Sequence, residues 1–77
     1  MIKKFIVVKC TAEKDYLHSI IKANNINEAA EKLSEEIEKG IVYRLYPLVN
    51  FYFDDKGRIV LPEGTKSQMI MSLEINN

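Results

Sequence analysis

The sequence predicts an α+β fold: a two-layer domain in which one helix lies on one face of an antiparallel sheet of four to five strands. Residues 25–40 have the only clear helical pattern of the chain. Runs rich in β-branched and aromatic residues fill most of the rest, and short turns separate them. No linker, repeat or low-complexity stretch divides residues 1–77, so we expect one domain with the element order ββαβββ.

The opening runs predict a β-hairpin. Residues 3–11 and 15–23 resemble strands, and the three residues between them break the pattern. Adjacent Val7 and Val8 put apolar groups on both faces, which is typical of a central strand. We expect a turn centred on Glu13, which sets the register. One face would carry the pairs Cys10 with Tyr16, Val8 with His18 and Ile6 with Ile20, and the other Phe5 with Ile21 and Val7 with Ser19.

Residues 25–40 predict the helix. Its apolar stripe consists of Ile26, Ala30, Leu33 and Ile37 at spacings of four and three, broadened by Ala29. Asn25 is the expected N-cap, and Glu28 can complete a pair like that of a capping box. Gly40 is expected to end the helix in the left-handed conformation. On the exposed side, Glu28 with Lys32 and Glu35 with Lys39 have the spacing of ion pairs.

The second half predicts a meander. Residues 41–53 form a long strand-like run, but Pro47 lacks an N–H, so it marks a bulge, an edge or a bend between two shorter strands. Turns are expected at 54–57 and 62–65, where Asp, Pro and Gly cluster. Residues 58–61 and 66–75 are the remaining strands. In the last of them, Met69, Met71, Leu73 and Ile75 alternate with polar residues, apart from Ile70.

The composition narrows the classes of function. Formal net charge is +0, with Lys+Arg 11 and Asp+Glu 11, which argues against a nucleic-acid binder that neutralises phosphates with a basic surface. One cysteine and one histidine fall short of a structural zinc site, and no phosphate loop or dinucleotide motif is present. We therefore expect no metal, no cofactor and no small-molecule substrate. No run could span a bilayer and the only cysteine is unpaired, so a cytoplasmic protein without membrane contact is expected.

The apolar surface predicts a protein interface. One helix of this length covers only one face of a sheet, whereas both faces carry apolar groups. We therefore expect the face away from the helix to bind a second copy, as a homodimer, or another protein. Tyr43, Tyr46 and Tyr52 are the predicted contact residues, because tyrosines suit protein interfaces. In the alternative, the sheet curls at the bend in residues 41–53 and buries both faces itself.

Two further functions remain open. Strand lysines and arginines together with tyrosines could bind nucleic acid by stacking, although the basic-aromatic octamer of an RNA-recognition strand is absent. Cys10 and His18 are expected on one face near Tyr16, which would suit a nucleophile and its base. We instead expect Cys10 in the core and no enzymatic activity, because no oxyanion loop or third orienting residue is evident. A purely structural role is a further possibility.

The first half of the chain has one broad resemblance to known proteins. The opening hairpin followed by Asn24-Asn25-Ile26-Asn27-Glu28-Ala29-Ala30-Glu31-Lys32-Leu33 resembles the start of many small proteins carried by phages and other mobile elements of bacteria. The resemblance covers roughly the first half and reaches no named family. It implies a non-enzymatic accessory protein that inhibits or adapts a larger host or phage protein.

Overall fold

A four-stranded antiparallel sheet with one helix on one face forms the body of the molecule, as a computed structural model describes it over residues 1–73. The sheet has the strand order β2-β1-β3-β6, and β4 and β5 form a separate two-stranded sheet. The elements are β1 (Lys3–Cys10), β2 (Asp15–Ala23), α1 (Ile26–Ser34), β3 (Val42–Pro47), β4 (Tyr52–Phe53), β5 (Ile59–Val60) and β6 (Met69–Ser72). The predicted α+β class is confirmed. No helix among the described residues is long and apolar enough to cross a membrane.

The first hairpin keeps the predicted register over half its length. Phe5 faces Ile21, Ile6 faces Ile20 and Val7 faces Ser19, as expected. A bulge between Val7 and Val8 then shifts the pairing by one residue, so that Val8 faces Leu17. His18 is the extra residue on β2, and the predicted pairs of Val8 with His18 and Cys10 with Tyr16 are wrong.

The helix is shorter than predicted. Asn25 caps it, with its side-chain oxygen accepting from the Glu28 N–H at 2.9 Å. It ends at Ser34, and Gly40, although its φ is +80°, is not its C-terminal glycine. Several acidic residues follow Leu33, and negative charge opposes the dipole at a helix C-terminus. The chain instead turns so that the Gly40 N–H donates to the Leu73 carbonyl at 3.0 Å.

The long run 41–53 is two strands rather than one. β3 ends at Pro47, whose ring removes the donor that a continuing ladder would need. β4 then pairs with β5, so residues 1–73 contain six strands where five were predicted for the chain. The turn at 54–57 joins them, and the Thr65 N–H donates to the Pro62 carbonyl in the second predicted turn. β6 begins at Met69 rather than at Lys66, and Ile75, the predicted end of this strand, lies outside the described residues.

Apolar side chains are buried on both faces of the large sheet. On one face α1 packs through Ala29 and Leu33. The sheet residues buried there are Phe5, Val7, Ile21, Ala23, Tyr43 and Leu45. On the other face Ile6 and Val8 are covered by Ile59 of β5, with Val49 and Phe51 at the margin. We refer to residues 48–61 as the covering hairpin.

Candidate interaction surface

The first predicted contact residue, Tyr43, lies in the core. Its side chain is 0% exposed, on the face that α1 covers. Its hydroxyl accepts a hydrogen bond from the Glu38 backbone N–H at 3.1 Å. The ring of His18 meets it edge to face at a centroid distance of 5.5 Å. Tyr43 is therefore a packing residue that holds the segment after the helix, and a partner cannot reach it in this structure.

The other two tyrosines lie outside that core. Tyr46 faces Ile6 across the ladder and packs, half-buried, beside the covering hairpin. Tyr52 is on β4 and is 64% exposed. The three tyrosines thus occupy three different surroundings and do not form one contact surface.

The face away from the helix is not the open apolar surface that the sequence predicted. The covering hairpin lies across it, leaving Ile6 0% and Val8 3% exposed. The alternative, in which the chain beyond β3 bends back and buries this face itself, is the arrangement observed. Burial within one copy removes the need for a second molecule to cover these residues.

Exposed apolar groups also occur on the covering hairpin itself. Tyr52 and its neighbour Phe53 are 64% and 52% exposed. As successive strand residues they point to opposite faces of the hairpin, and Phe53 shares its face with its ladder partner Ile59. We call this exposed pair the aromatic patch. Phe53 packs edge to face on Phe51 at 5.8 Å, so its ring is held on one side and open on the other. Sequence reasoning selected Tyr52 but missed Phe53. The sequence feature that could have identified Phe53 is the run of three aromatic residues directly before a tight turn.

The turn that carries the aromatic patch is fixed by one carboxylate. Asp54 Oδ1 accepts from the backbone N–H groups of Lys56 and Arg58, both at 2.9 Å. Its Oδ2 accepts from Arg58 Nε at 2.6 Å. These hydrogen bonds lower the pKa of Asp54, and the bond from the backbone N–H of Arg58 has the largest effect. Lys14 also donates to the Lys56 carbonyl at 2.7 Å, which ties the turn to the first hairpin.

Cys10 and His18 do not come together. The bulge places His18 beside Tyr43 on the helix side of the sheet, whereas Cys10 contacts the cluster under the covering hairpin. The expectation that they share a face is therefore wrong. Burial, and then the nearby Asp15 carboxylate, raise the pKa of the Cys10 thiol. A raised pKa keeps the thiol protonated and weakly nucleophilic at neutral pH.

The concave regions of the described chain are open and shallow. One cleft of about 490 Å³ lies between the first turn and the covering hairpin, with Lys14, Asp15 and Arg58 in its lining. Another of about 770 Å³ is lined partly by Lys3, Lys4 and Leu48. No polar or charged residue is buried among the described residues, and no group of three His, Cys, Asp or Glu there could hold a metal ion. Neither cleft has the convergent buried polar groups of a substrate site.

The basic strand residues are scattered. Lys4 and Lys22 face each other across the β1–β2 ladder, while Arg44 is exposed on β3 next to Ile70. The described ion pairs involve Lys9, Lys32 and Arg58. The basic strand residues are thus separate from the aromatic patch on β4.

The fold and surface define a small α+β domain that presents an aromatic hairpin. No protein-family model, curated protein or solved structure matches the chain at a significant level.

Proposed function

We propose that the protein is a non-enzymatic protein-interaction module that binds a larger protein through the aromatic patch and acts as its inhibitor or adaptor. The observation that carries the proposal is the exposure of Tyr52 and Phe53 on a hairpin whose turn is fixed by Asp54. Large aromatic side chains contribute strongly to protein interfaces when a partner covers them.

The rigidity of the hairpin supports this role. A side chain on a fixed turn loses little conformational freedom when it binds, so more of the contact energy appears as affinity. The Asp54 hydrogen bonds and the Lys14 bond to Lys56 hold the turn on the body of the domain. Phe51 contacts the Phe53 ring edge to face. The patch is therefore arranged before any partner arrives.

An accessory role in bacteria is the biological setting that we propose. The first half resembles small proteins of phages and other mobile elements, which implies action on a host or phage protein. Such a role needs no catalytic group and fits the surroundings of Cys10 and His18. The partner would present apolar surface to the Tyr52 ring on one face of the hairpin and to the Phe53 ring on the other, with a polar rim.

Photo-crosslinking tests the proposal. A benzophenone amino acid at position 52 should give a discrete adduct with one protein in bacterial extract. The same probe at position 16 is the matched control, because Tyr16 is also an exposed strand tyrosine, located on β2. The captured protein is then purified, and its affinity is measured for the wild type, Tyr52→Ser and Tyr16→Ser. We expect Tyr52→Ser to weaken binding by about tenfold or more, in the range of an interface hot spot.

Two results would overturn the proposal. One is an equal loss of affinity in Tyr16→Ser and Tyr52→Ser, and the other is a set of adducts that does not depend on the probe position. A salt-sensitive complex with nucleic acid in place of a protein adduct would favour the alternative function, with Lys4 and Lys22 as contacts, since phosphate contacts weaken steeply with salt.

A further inference from the structure

A groove crosses the end of the large sheet at which β1 begins and β3 ends. It is the cleft of about 770 Å³ noted above, and we call it the basic groove. Its lining comes from three elements that meet there: Lys3 and Lys4 at the start of β1, Pro47 and Leu48 where β3 ends, and Ile26 at the start of α1. The first and third strands are antiparallel neighbours, so the start of one lies beside the end of the other.

The walls of the basic groove are largely apolar and partly open to solvent. Leu48 is 50% exposed, and Ile26 and Pro47 are half-buried. Phe5 also lines the groove, but it is 4% exposed and belongs to the core below. A partly exposed leucine contributes favourable free energy when a partner's apolar side chain covers it. The groove therefore offers a contact for an apolar side chain.

The charge at the basic groove is positive. Lys3 and Lys4 are the only charged residues among those that line it, and neither forms an ion pair with another described residue. Lys22 adds to this charge, because it lies directly opposite Lys4 in the β1–β2 ladder. Like charges opposite each other on neighbouring strands are destabilising. An anionic group bound beside these lysines would offset their repulsion.

The acidic residue in the first turn of α1 is engaged elsewhere. The Glu28 carboxylate accepts from the Asn24 side-chain amide at 3.0 Å and lies 3.6 Å from the Lys32 ammonium. It is therefore already paired, and the charge of Lys3 and Lys4 remains available to an external anion.

We propose that the basic groove binds an extended acidic peptide segment of another protein. One aliphatic side chain of the peptide covers Leu48, and the flanking Asp or Glu carboxylates pair with Lys3 and Lys4. Neither residue of the aromatic patch lines the groove, so this inference does not depend on the function proposed above.

Two observations favour an acidic peptide over nucleic acid as the occupant. Single-stranded nucleic acid binds by stacking its bases on exposed aromatic rings. The one aromatic residue of the lining is Phe5, which is buried and cannot receive a base. The formal net charge of the chain is +0, so no general basic surface extends the attraction beyond this local group of lysines.

A peptide titration followed by amide NMR tests the location. The probe is a short peptide, capped at both ends, with a central leucine between glutamates. It should shift the amide resonances of Lys4, Leu48 and Gln68, which line the groove, more than that of Tyr52. Two control peptides carry glutamine in place of glutamate, or serine in place of leucine. Each should bind at least about threefold more weakly, since one loses the ion pairs and the other the apolar contact.

Variants of the protein test the named contacts. Lys3→Gln combined with Lys4→Gln should weaken binding by about threefold or more and flatten its dependence on salt, because exposed ion pairs are screened by salt. Lys39→Gln is the matched control, since Lys39 is an exposed lysine beside Leu73 at the opposite end of β6. Leu48→Ser should also weaken binding.

Tyr52→Ser, which removes an exposed apolar side chain from the aromatic patch, should leave peptide binding unchanged. Four results would overturn the proposal. The glutamine and glutamate peptides bind equally, or no peptide binds at millimolar concentration. A single-stranded oligonucleotide binds more tightly than the peptide. The groove amides shift with protein concentration in the absence of peptide, which would mean that a second copy occupies the groove.

Discussion

At the scale of single residues, Tyr43 shows why side-chain type does not reveal location. A tyrosine on a strand suits either a core or an interface, because its ring is apolar and its hydroxyl needs a polar partner. The backbone N–H of Glu38 meets that need inside the domain. Glu38 also pairs with Lys9 at 2.7 Å, and their hydrogen bond raises the pKa of Lys9 and lowers that of Glu38. No spacing in the sequence signals these contacts.

The Tyr43 hydroxyl gives the residue-scale prediction. Tyr43→Phe keeps the ring but leaves the Glu38 N–H without its acceptor, so the free energy of unfolding should fall by about 1 kcal/mol. Urea denaturation measures the change. Tyr52→Phe is the control and should leave stability unaltered, because its hydroxyl is in solvent. Equal stability of the two variants would show that the Glu38 bond contributes nothing.

At the scale of elements, local rules placed the starts and turns better than the ends. Asn25 caps α1 and Glu28 pairs with Lys32 at 3.6 Å, both as expected. The helix end was missed. The helix stops at Ser34, and the segment that follows is held by the hydrogen bond from the Gly40 N–H to the carbonyl of Leu73, which lies 33 positions later in the sequence (73 minus 40). The β2 bulge was also missed: an inserted residue reverses the alternation beyond it, but β2 has apolar residues at both odd and even positions, so its pattern does not reveal where the reversal occurs.

The β4–β5 turn gives the element-scale prediction. The pKa of Asp54 is lowered from 3.8 in the folded state, so its ionised form stabilises the fold fully above that value. This contribution should be lost as the pH falls from 3.8 through the lower folded pKa. Asp54→Asn should therefore show a shallower loss of stability in acid than the wild type.

Denaturation in urea at a series of pH values measures this difference. Glu28 and Glu38, whose pKa values are also lowered, supply the acid dependence that remains in the variant. Asp55→Asn, in the same turn, is the control and should keep the wild-type slope. The assignment to Asp54 is wrong if Asp54→Asn also keeps that slope.

At the scale of the whole molecule, the covering hairpin decides what the surface offers. A domain of this size gains stability from every apolar group that it buries, so covering Ile6 and Val8 with its own chain is favourable. The sequence does contain more apolar strand residues than one helix can cover, but on this face the covering hairpin buries most of them within the same molecule. Other apolar side chains of the described residues remain exposed, among them Ile2, Ile20, Leu48, Tyr52 and Phe53.

Ile59 gives the whole-molecule prediction, since it is the buried contact of the covering hairpin with the sheet. Ile59→Ala should lower the free energy of unfolding by about 2–4 kcal/mol, through lost burial and a cavity over Ile6 and Val8. It should also increase binding of an apolar dye. Val60→Ala, at the half-buried neighbouring position, should cost less. Comparable losses in both variants would mean that the hairpin does not seal this face.

The sequence by itself determined the α+β class, the cap at Asn25, the turns and the identity of the apolar residues, because these depend on local conformational preference and on periodicity. Only the tertiary structure decided that Tyr43 is buried, that His18 and Cys10 lie apart, and that residues 48–61 cover the second face. Those outcomes depend on contacts between distant segments, whose free energies no local pattern records.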